Sequence, residues 1–463
     1  MIIRNSAQLS SKGNRRGRKV VLDIAESAIS EVSFYDLVKR QVRIDNTLRV
    51  GSRSYDLKNI GDIFVVGGGK YVSYVAAALE DILQDRISAG LVVEKERCER
   101  QTRRIVVTRG GHPLPDAGSA DGANQVMELL TRADEDDLVI VCVTGGCTSL
   151  LTHPPDAITI DDVREVFDLL LRSGAPIEDM NTVRKHLSQL GGGKLAMLAH
   201  PAEILSLIAV DEVAGLTWGP SVADSTTFAD AIGVLKTYGL WENVPDSVRN
   251  YFEKADPAEE TPKNGDFARA GVRNSNVIFA HNGLLCESAL RRAAELQFPA
   301  AIVSTCIEGE AEQVATVLAC MAREMEKNAR PLPPPCVLIA GGETTVTIAG
   351  EPGRGGRNQE LALAAALKIA RSENIVVASI GTDGTDGPTD VAGAIVDGYT
   401  LDEAKSAGID GFQELKRHNS SHVLTNLNDA IYTYDTKTNL MDLIILFVDS
   451  PEAADRTSVK NID

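Results

Sequence analysis

Apolar and polar positions alternate along this chain on two length scales. In the first half, short and nearly unbroken apolar runs (DIFVV, AGLVVE, RIVVT, DLVIVCV, EILSLIAV) are separated by longer stretches such as YVSYVAAALEDIL and DDVREVFDLLLRSG, which are apolar at three- and four-residue spacing. Runs of the first kind suit strands buried on both faces, and the spaced pattern suits the helices that cover them. The second half repeats the style with NVIFA, AAIVST, CVLIA, NIVVASI and LIILFV. The pattern predicts an α/β fold built on mostly parallel sheet with helices on both faces. Between the halves, EKADPAEETPKNGDFARAG is polar, charged and Pro-containing and marks a domain boundary, while NARPLPPPC reads as an extended surface connection.

Several strand candidates end in glycine: VVGGGK at 65–70, VTGGCTS at 143–149, IAGGETT at 339–345 and GTDGTDG at 381–387. Glycine permits positive φ and close backbone approach, so amides at a following helix N-terminus can face a phosphate or carboxylate. Tight strand-to-helix turns also use glycine without a ligand. Repetition of the device at four strand ends is therefore what points to an anion site. The phosphate-loop pattern fails in VVGGGKYV, since Lys70 is followed by Tyr71 where that pattern needs Ser or Thr. The dinucleotide pattern matches at Gly67 and Gly69 but meets Val72 at its third glycine; Glu94, ending the next strand, stands near the place of a ribose-binding acid. A cation such as Lys70 at a helix start is unfavourable unless an anion is present.

Two further cationic stretches follow. In RGGRNQELALAAALKIA (354–370), Arg357 either pairs with Glu360 one turn on or offers its guanidinium fork to an anion. In NTVRKHLSQLGGGKLAMLAHPA, a solvated helix face accounts for Arg184, Lys185, His186 and Lys194 but not for the glycines among them. The loop GTDGTDGPTD carries Asp383, Asp386 and Asp390, which either solvate a turn or offer hard oxygen ligands to a cation.

Composition narrows the classes. The 463 residues, 43% hydrophobic and 24% charged, leave room for two or three domains with substantial cores. A net charge of −18 repels nucleic acid and anionic lipid, so any anionic ligand must meet a local group of cations. Seven cysteines without C-x-x-C spacing suit reduced thiols and a cytoplasmic setting. No apolar run reaches membrane-spanning length, and the basic start MIIRNSAQLSSKGNRRGRKV lacks the apolar core of a secretory signal; it reads as a solvated first turn, with an Arg- and Ser-rich transit peptide as the alternative.

Taken in order, GGGK, GGHPLPD, TGG, NTVRKHLS, ETPKNGD, GGETTV, GRGGRNQELALA, GTDGTDGPTDVAGAIVDG and TNLMDLIILF resemble the class II glycerate kinases over nearly the whole chain. The resemblance implies two three-layer α/β domains. The first, 1–260, is Rossmann-like with a mostly parallel sheet; the second, 261–463, is of MOFRL type with a mixed sheet, and the active site lies in the cleft between them. It implies transfer of the γ-phosphoryl of ATP to the 2-hydroxyl of D-glycerate, with Mg²⁺. Lys70, Asp211 and Arg357 match the family's cleft lysine, strand-end acid and Gly-Gly-Arg-Asn arginine. Lys70 then serves the phosphates, Arg357 the hydroxy-acid carboxylate and Asp211 the hydroxyl proton. Nucleotide and substrate binding falls to Gly68, Gly69, His112, Gly145, Gly146, Thr148, Ser149, Arg184, Lys194, Glu343 and Asn358, and metal binding to Asp383, Asp386 and Asp390. The chain departs from the family pattern at Cys147 and over 210–221, beside the expected substrate. Some family members are called hydroxypyruvate reductase, so an NAD(P)H-dependent reductase stays open as a rival, as does a binder without chemistry. The expected partner is a small molecule, with no nucleic acid or membrane; self-association is left open.

Overall fold

The computed structural model of the protein describes residues 1–95, 102–209, 218–348 and 350–450. These gather into two compact units. One runs from Phe34 to Ala280, and the other joins Met1–Ser33 to the chain from His281 onward. Helix α1 (Arg15–Glu31) belongs to the latter.

The Phe34–Ala280 unit is built on six parallel strands: β1 (Ile63–Gly68), β2 (Ile87–Glu94), β3 (Ile105–Arg109), β4 (Leu138–Val143), β5 (Glu203–Ala209) and β6 (Asn274–Ala280). Their spatial order is β3-β2-β1-β4-β5-β6, the doubly wound arrangement. β1 and β4 are buried at every position, which is why each reads as an unbroken apolar run. Helix α2 (Val72–Leu83) returns the chain from β1 to β2. Helix α3 (Ala117–Leu130) places Ala123, Val126 and Leu130 against Phe64, Val66, Val139 and Val141 on one face of the sheet. Three helices come next after β4: α4 (Cys147–Leu150), α5 (Ile160–Arg172) and α6 (Ile177–His186). The polar stretch 253–271 lies within this unit, because β6 comes after it and still pairs with β5.

The second unit carries a mixed sheet of β7 (Ala300–Ile307), β8 (Cys336–Gly342), β9 (Ile375–Gly381), β10 (Gly393–Asp397), β11 (Ala430–Ile431) and β12 (Asp442–Val448), ordered β7-β8-β12-β9-β10-β11. Only β7 and β8 run parallel. One face buries Leu338, Ala340, Val377, Ile444 and Leu446 under α8 (Ala311–Asn328) and α9 (Arg357–Ile369). Over the other face lie α1 and α7 (Asn282–Glu295), where Gly17 of α1 meets Val376 and Phe447. The basic N-terminus is not a solvated turn. Arg18 has no exposed surface and binds Asp397 at 2.6 Å and Asp429 at 2.8 Å, two carboxylates that are themselves buried. No helix among the described residues is long and apolar enough to cross a membrane.

Candidate functional site

In the doubly wound unit the strand order reverses between β1 and β4, and their carboxyl ends are the place where such sheets receive ligands. Lys70 follows β1 there, and the turn Thr144–Gly146 follows β4. The two are stitched together: the Lys70 amide donates to the Gly145 carbonyl at 2.7 Å, and Thr144 Oγ1 donates to the Lys70 carbonyl at 2.8 Å. That contact explains a glycine. Gly69 has φ +134°, and a Cβ there would stand 2.1 Å from Thr144 Oγ1.

The amides of this turn do not await a phosphate. Gly69 N donates to Val93 O at 3.1 Å, and the anion at the start of α2 is the protein's own Glu94. Its carboxylate, 5% exposed, accepts from Tyr71 N at 2.8 Å, Ser73 N at 3.1 Å, Ser73 Oγ at 2.9 Å and Lys95 N at 3.1 Å. Burial nevertheless pushes this carboxyl up to about 7 against those donors. Glu94 is thereby committed to the turn that carries Lys70, and the expectation of a ribose contact loses its residue.

His112 lies over the β4 turn, where a Cβ on Gly146 (φ +81°) would come 2.5 Å from its ring. Ser149 Oγ donates to the carbonyl of Pro113 at 2.7 Å, so the His112 loop and α4 are held together, with Thr148 between Gly146 and Ser149. Arg184, in the last turn of α6, is 6% exposed and lies 4.7 Å over the Phe167 ring. Burial lowers its pKa to about 10. Lys194 Nζ donates to Ser188 O at 3.2 Å, and burial lowers its pKa to about 8. Asp211 lies outside the described residues.

A network that the sequence did not announce joins NTVRKHLS to ETPKNGD. His186 faces Thr182 O at 2.7 Å and Glu260 at 2.8 Å, and Lys185 binds Asp224 at 2.7 Å. Burial opposes ionisation of Glu260, but the amides of Phe228 and Thr261, with His186, outweigh it and hold the carboxyl at about 2. Of the four residues that the sequence singled out in this stretch, Lys185 and His186 are thus engaged with carboxylates of the same unit.

The remaining candidates meet in the mixed-sheet unit, at the start of α9. Arg357 grips Asp442 with Nε at 2.6 Å and Nη2 at 3.0 Å, and Nη1 meets Glu343 at 2.7 Å. Its side chain remains 32% exposed. Burial opposes the charge, yet Asp442 and Glu343 raise the guanidinium pKa well above its ordinary value. Glu360 is not its partner; that carboxylate is held by His418 at 3.1 Å. Asn358 is buried, accepting from Ser379 Oγ at 2.6 Å and donating to Asp442 at 2.9 Å. Asp442 itself went unremarked in TNLMDLIILF, where an acid opening an apolar run was the available signal.

Asp386 behaves as a cap. Its carboxylate accepts the amides of Asn358 at 3.0 Å and Gln359 at 2.9 Å, the first-turn donors that Gly356 has no side chain to satisfy. Asp383 bonds Thr385 of its own loop at 3.1 Å, and Asp390 is exposed. The three aspartates are not brought together: among the described residues no group of three or more His, Cys, Asp or Glu side chains could hold a metal ion.

The reversed strand order with its Lys70 turn, and the mixed sheet with its Arg357–Asp442 pair, define a two-unit α/β protein with candidate anion-binding residues in each unit. Residues 20–253 match the family model described as "Domain of unknown function (DUF4147)", and residues 336–442 match the MOFRL family. The glycerate 2-kinase of Pyrococcus horikoshii is 39% identical, with 94% of this chain and 98% of that protein covered. The D-glycerate 2-kinase of Thermotoga maritima is 35% identical over 89% of this chain and 96% of its own length. A crystal structure of glycerate kinase from Thermotoga maritima superposes with a TM-score of 0.78 at 33% identity, covering 93% of this chain and 99% of that one. The chain belongs to the class II glycerate kinase family.

Proposed function

We propose that the protein is an ATP-dependent kinase that transfers the γ-phosphoryl group to the 2-hydroxyl of D-glycerate, giving 2-phosphoglycerate. The observation that carries this reading is likeness over most of the chain to relatives named as glycerate 2-kinases. The two matched stretches, 20–253 and 336–442, correspond to an N-terminal glycerate kinase domain and a C-terminal MOFRL-type domain, and because β6 completes the first sheet the division between them falls after Ala280 rather than at 260.

Phosphoryl transfer needs positioning and cations around the phosphate oxygens more than covalent help. Lys70 supplies such a cation, on a backbone that Gly145 and Thr144 hold from both sides. Arg357 supplies another. Three of its five N–H groups face Asp442 and Glu343, and two remain for an incoming anion. Asp211 takes or orients the hydroxyl proton. Mg²⁺ bound with the nucleotide supplies charge neutralisation at the phosphate oxygens. The donor set fits that ion, which needs only one or two carboxylates beside phosphate and water. A single loop carboxylate, Asp383 or Asp390, would hold it beside phosphate and water, whereas Asp386 is occupied by the start of α9. The acidic, C-x-x-C-free composition supports a cytoplasmic location.

Incubating the purified protein with ATP, Mg²⁺ and D-glycerate while following ADP, beside NADH with hydroxypyruvate, tests the reading. ADP release dependent on glycerate is the expected result. NADH oxidation alone would replace the kinase by a reductase, and neither signal would leave a binder. Lys70→Ala is expected to lower kcat/KM at least about a hundredfold, since one preorganised electrostatic contact is worth roughly 3 kcal/mol in such sites. Near wild-type turnover by a folded Lys70→Ala protein would remove Lys70 from the chemistry.

A further inference from the structure

A three-carbon hydroxy acid presents one full charge, its carboxylate, and a pocket for it requires a cation whose donors are not already in use. Arg357 has three of its five N–H groups taken by Asp442 and Glu343, and the two left are assigned above to the phosphate oxygens. Lys185 is tied to Asp224 at 2.7 Å. Arg184 differs from both. Among the described residues its guanidinium has no carboxylate partner: Nε is buried without an acceptor, and Nη2 finds only the Met180 sulfur at 3.8 Å. Burial alone accounts for the lowering of its pKa to about 10, with no neighbouring acid pulling it back. A buried, uncompensated charge is among the costliest features a fold can carry. In a chain of net charge −18, acidic partners for it were not scarce.

Position adds a second observation. Helix α6, which carries Arg184, packs against α4, and α4 grows directly out of the turn whose Gly145 carbonyl holds the Lys70 amide. The Phe167 ring backs the guanidinium plane at 4.7 Å, fixing its orientation without using any of its N–H groups. We infer that Arg184 is the residue that binds the carboxylate of the acceptor, and so decides for a hydroxy acid over a neutral polyol. The inference rests on the kinase reading above and deepens it. A planar fork on a planar carboxylate gives two parallel charge-assisted bonds, which a lysine does not reproduce.

The test compares wild type, Arg184→Met and Arg184→Lys in three measurements: thermal melting, KM for ATP and for D-glycerate, and kcat/KM for D-glycerate against D-glyceramide, its uncharged analogue. For Arg184→Met we expect a melting temperature equal to or above wild type and a KM for D-glycerate raised about a hundredfold, in line with loss of a charged hydrogen-bond pair. KM for ATP should hold, and the preference for glycerate over glyceramide should disappear. Arg184→Lys should recover only part of that preference. A lowered melting temperature with an unmoved KM for D-glycerate would make Arg184 a packing cation over Phe167 and overturn the inference. A rise in KM for ATP instead would move it to the nucleotide and overturn it equally. Wild-type turnover is measured first: no glycerate-dependent ADP release counts against the kinase reading and this inference together, whereas turnover with an unchanged Arg184→Met KM counts against the inference alone.

Discussion

At Asp386 a carboxylate with 2% of its surface exposed faces four donors, the amides and side chains of Asn358 and Gln359. Burial pushes its pKa up, and those donors resist the rise. Asp386→Asn turns one acceptor into a donor that faces other donors, so it is expected to cost about 1–3 kcal/mol of stability. The melting temperature should fall equally with and without Mg²⁺, while the Mg²⁺ concentration giving half-maximal rate stays put. A raised Mg²⁺ requirement with unchanged melting would return Asp386 to the metal. Arg357→Lys replaces a fork that spans Asp442 and Glu343 by a point charge, and kcat/KM is expected to collapse while circular dichroism stays native. Glu260 sets a pH window. Its folded pKa of about 2 lies below the model-peptide value of 4.5, so its stabilisation is complete above 4.5 and is lost as pH falls through about 2. Melting temperatures followed from neutral pH down through that window should therefore fall less steeply for Glu260→Gln than for wild type.

Helices and strands show which features a sequence carries openly. β1, β4, β5, β8, β9 and β12 are buried on both faces, and each announced itself as an apolar run. β10 and β11, of five and two residues, lack the length for any periodicity to register. β6 was legible as a strand but not as the edge of the first sheet, because pairing with β5 is a long-range fact that no local pattern encodes. The glycine that follows β1, Gly69, lets two strand ends approach, and Glu94 accepts the amides at the start of α2. Asp442 hid for the same cause as β6, since its partner Arg357 is remote in sequence. Helix α1 was the largest omission, its basic residues masking a buried arginine. Arg18→Met would leave Asp397 and Asp429 buried, with Lys12 the remaining cation at Asp429. Breaking such a pair from one side typically costs about 3–5 kcal/mol, and urea denaturation should show a loss of that size; an unchanged midpoint would mean that α1 adds nothing to the second unit.

At the scale of the whole molecule, an acidic protein of charge −18 is assigned two anionic substrates, and it must meet them with a few placed cations rather than with its overall field. Lys70 and Arg184 in one unit and Arg357 in the other are the cations on which that account rests. The central claim is the product, a phosphoryl group on the 2-hydroxyl of glycerate. It is tested most directly by ³¹P NMR of one incubation of the protein with ATP, Mg²⁺ and D-glycerate. The account predicts a new phosphomonoester resonance coinciding with added 2-phosphoglycerate and growing in step with ADP. A resonance matching 3-phosphoglycerate, or ADP without any phosphoglycerate, would contradict it.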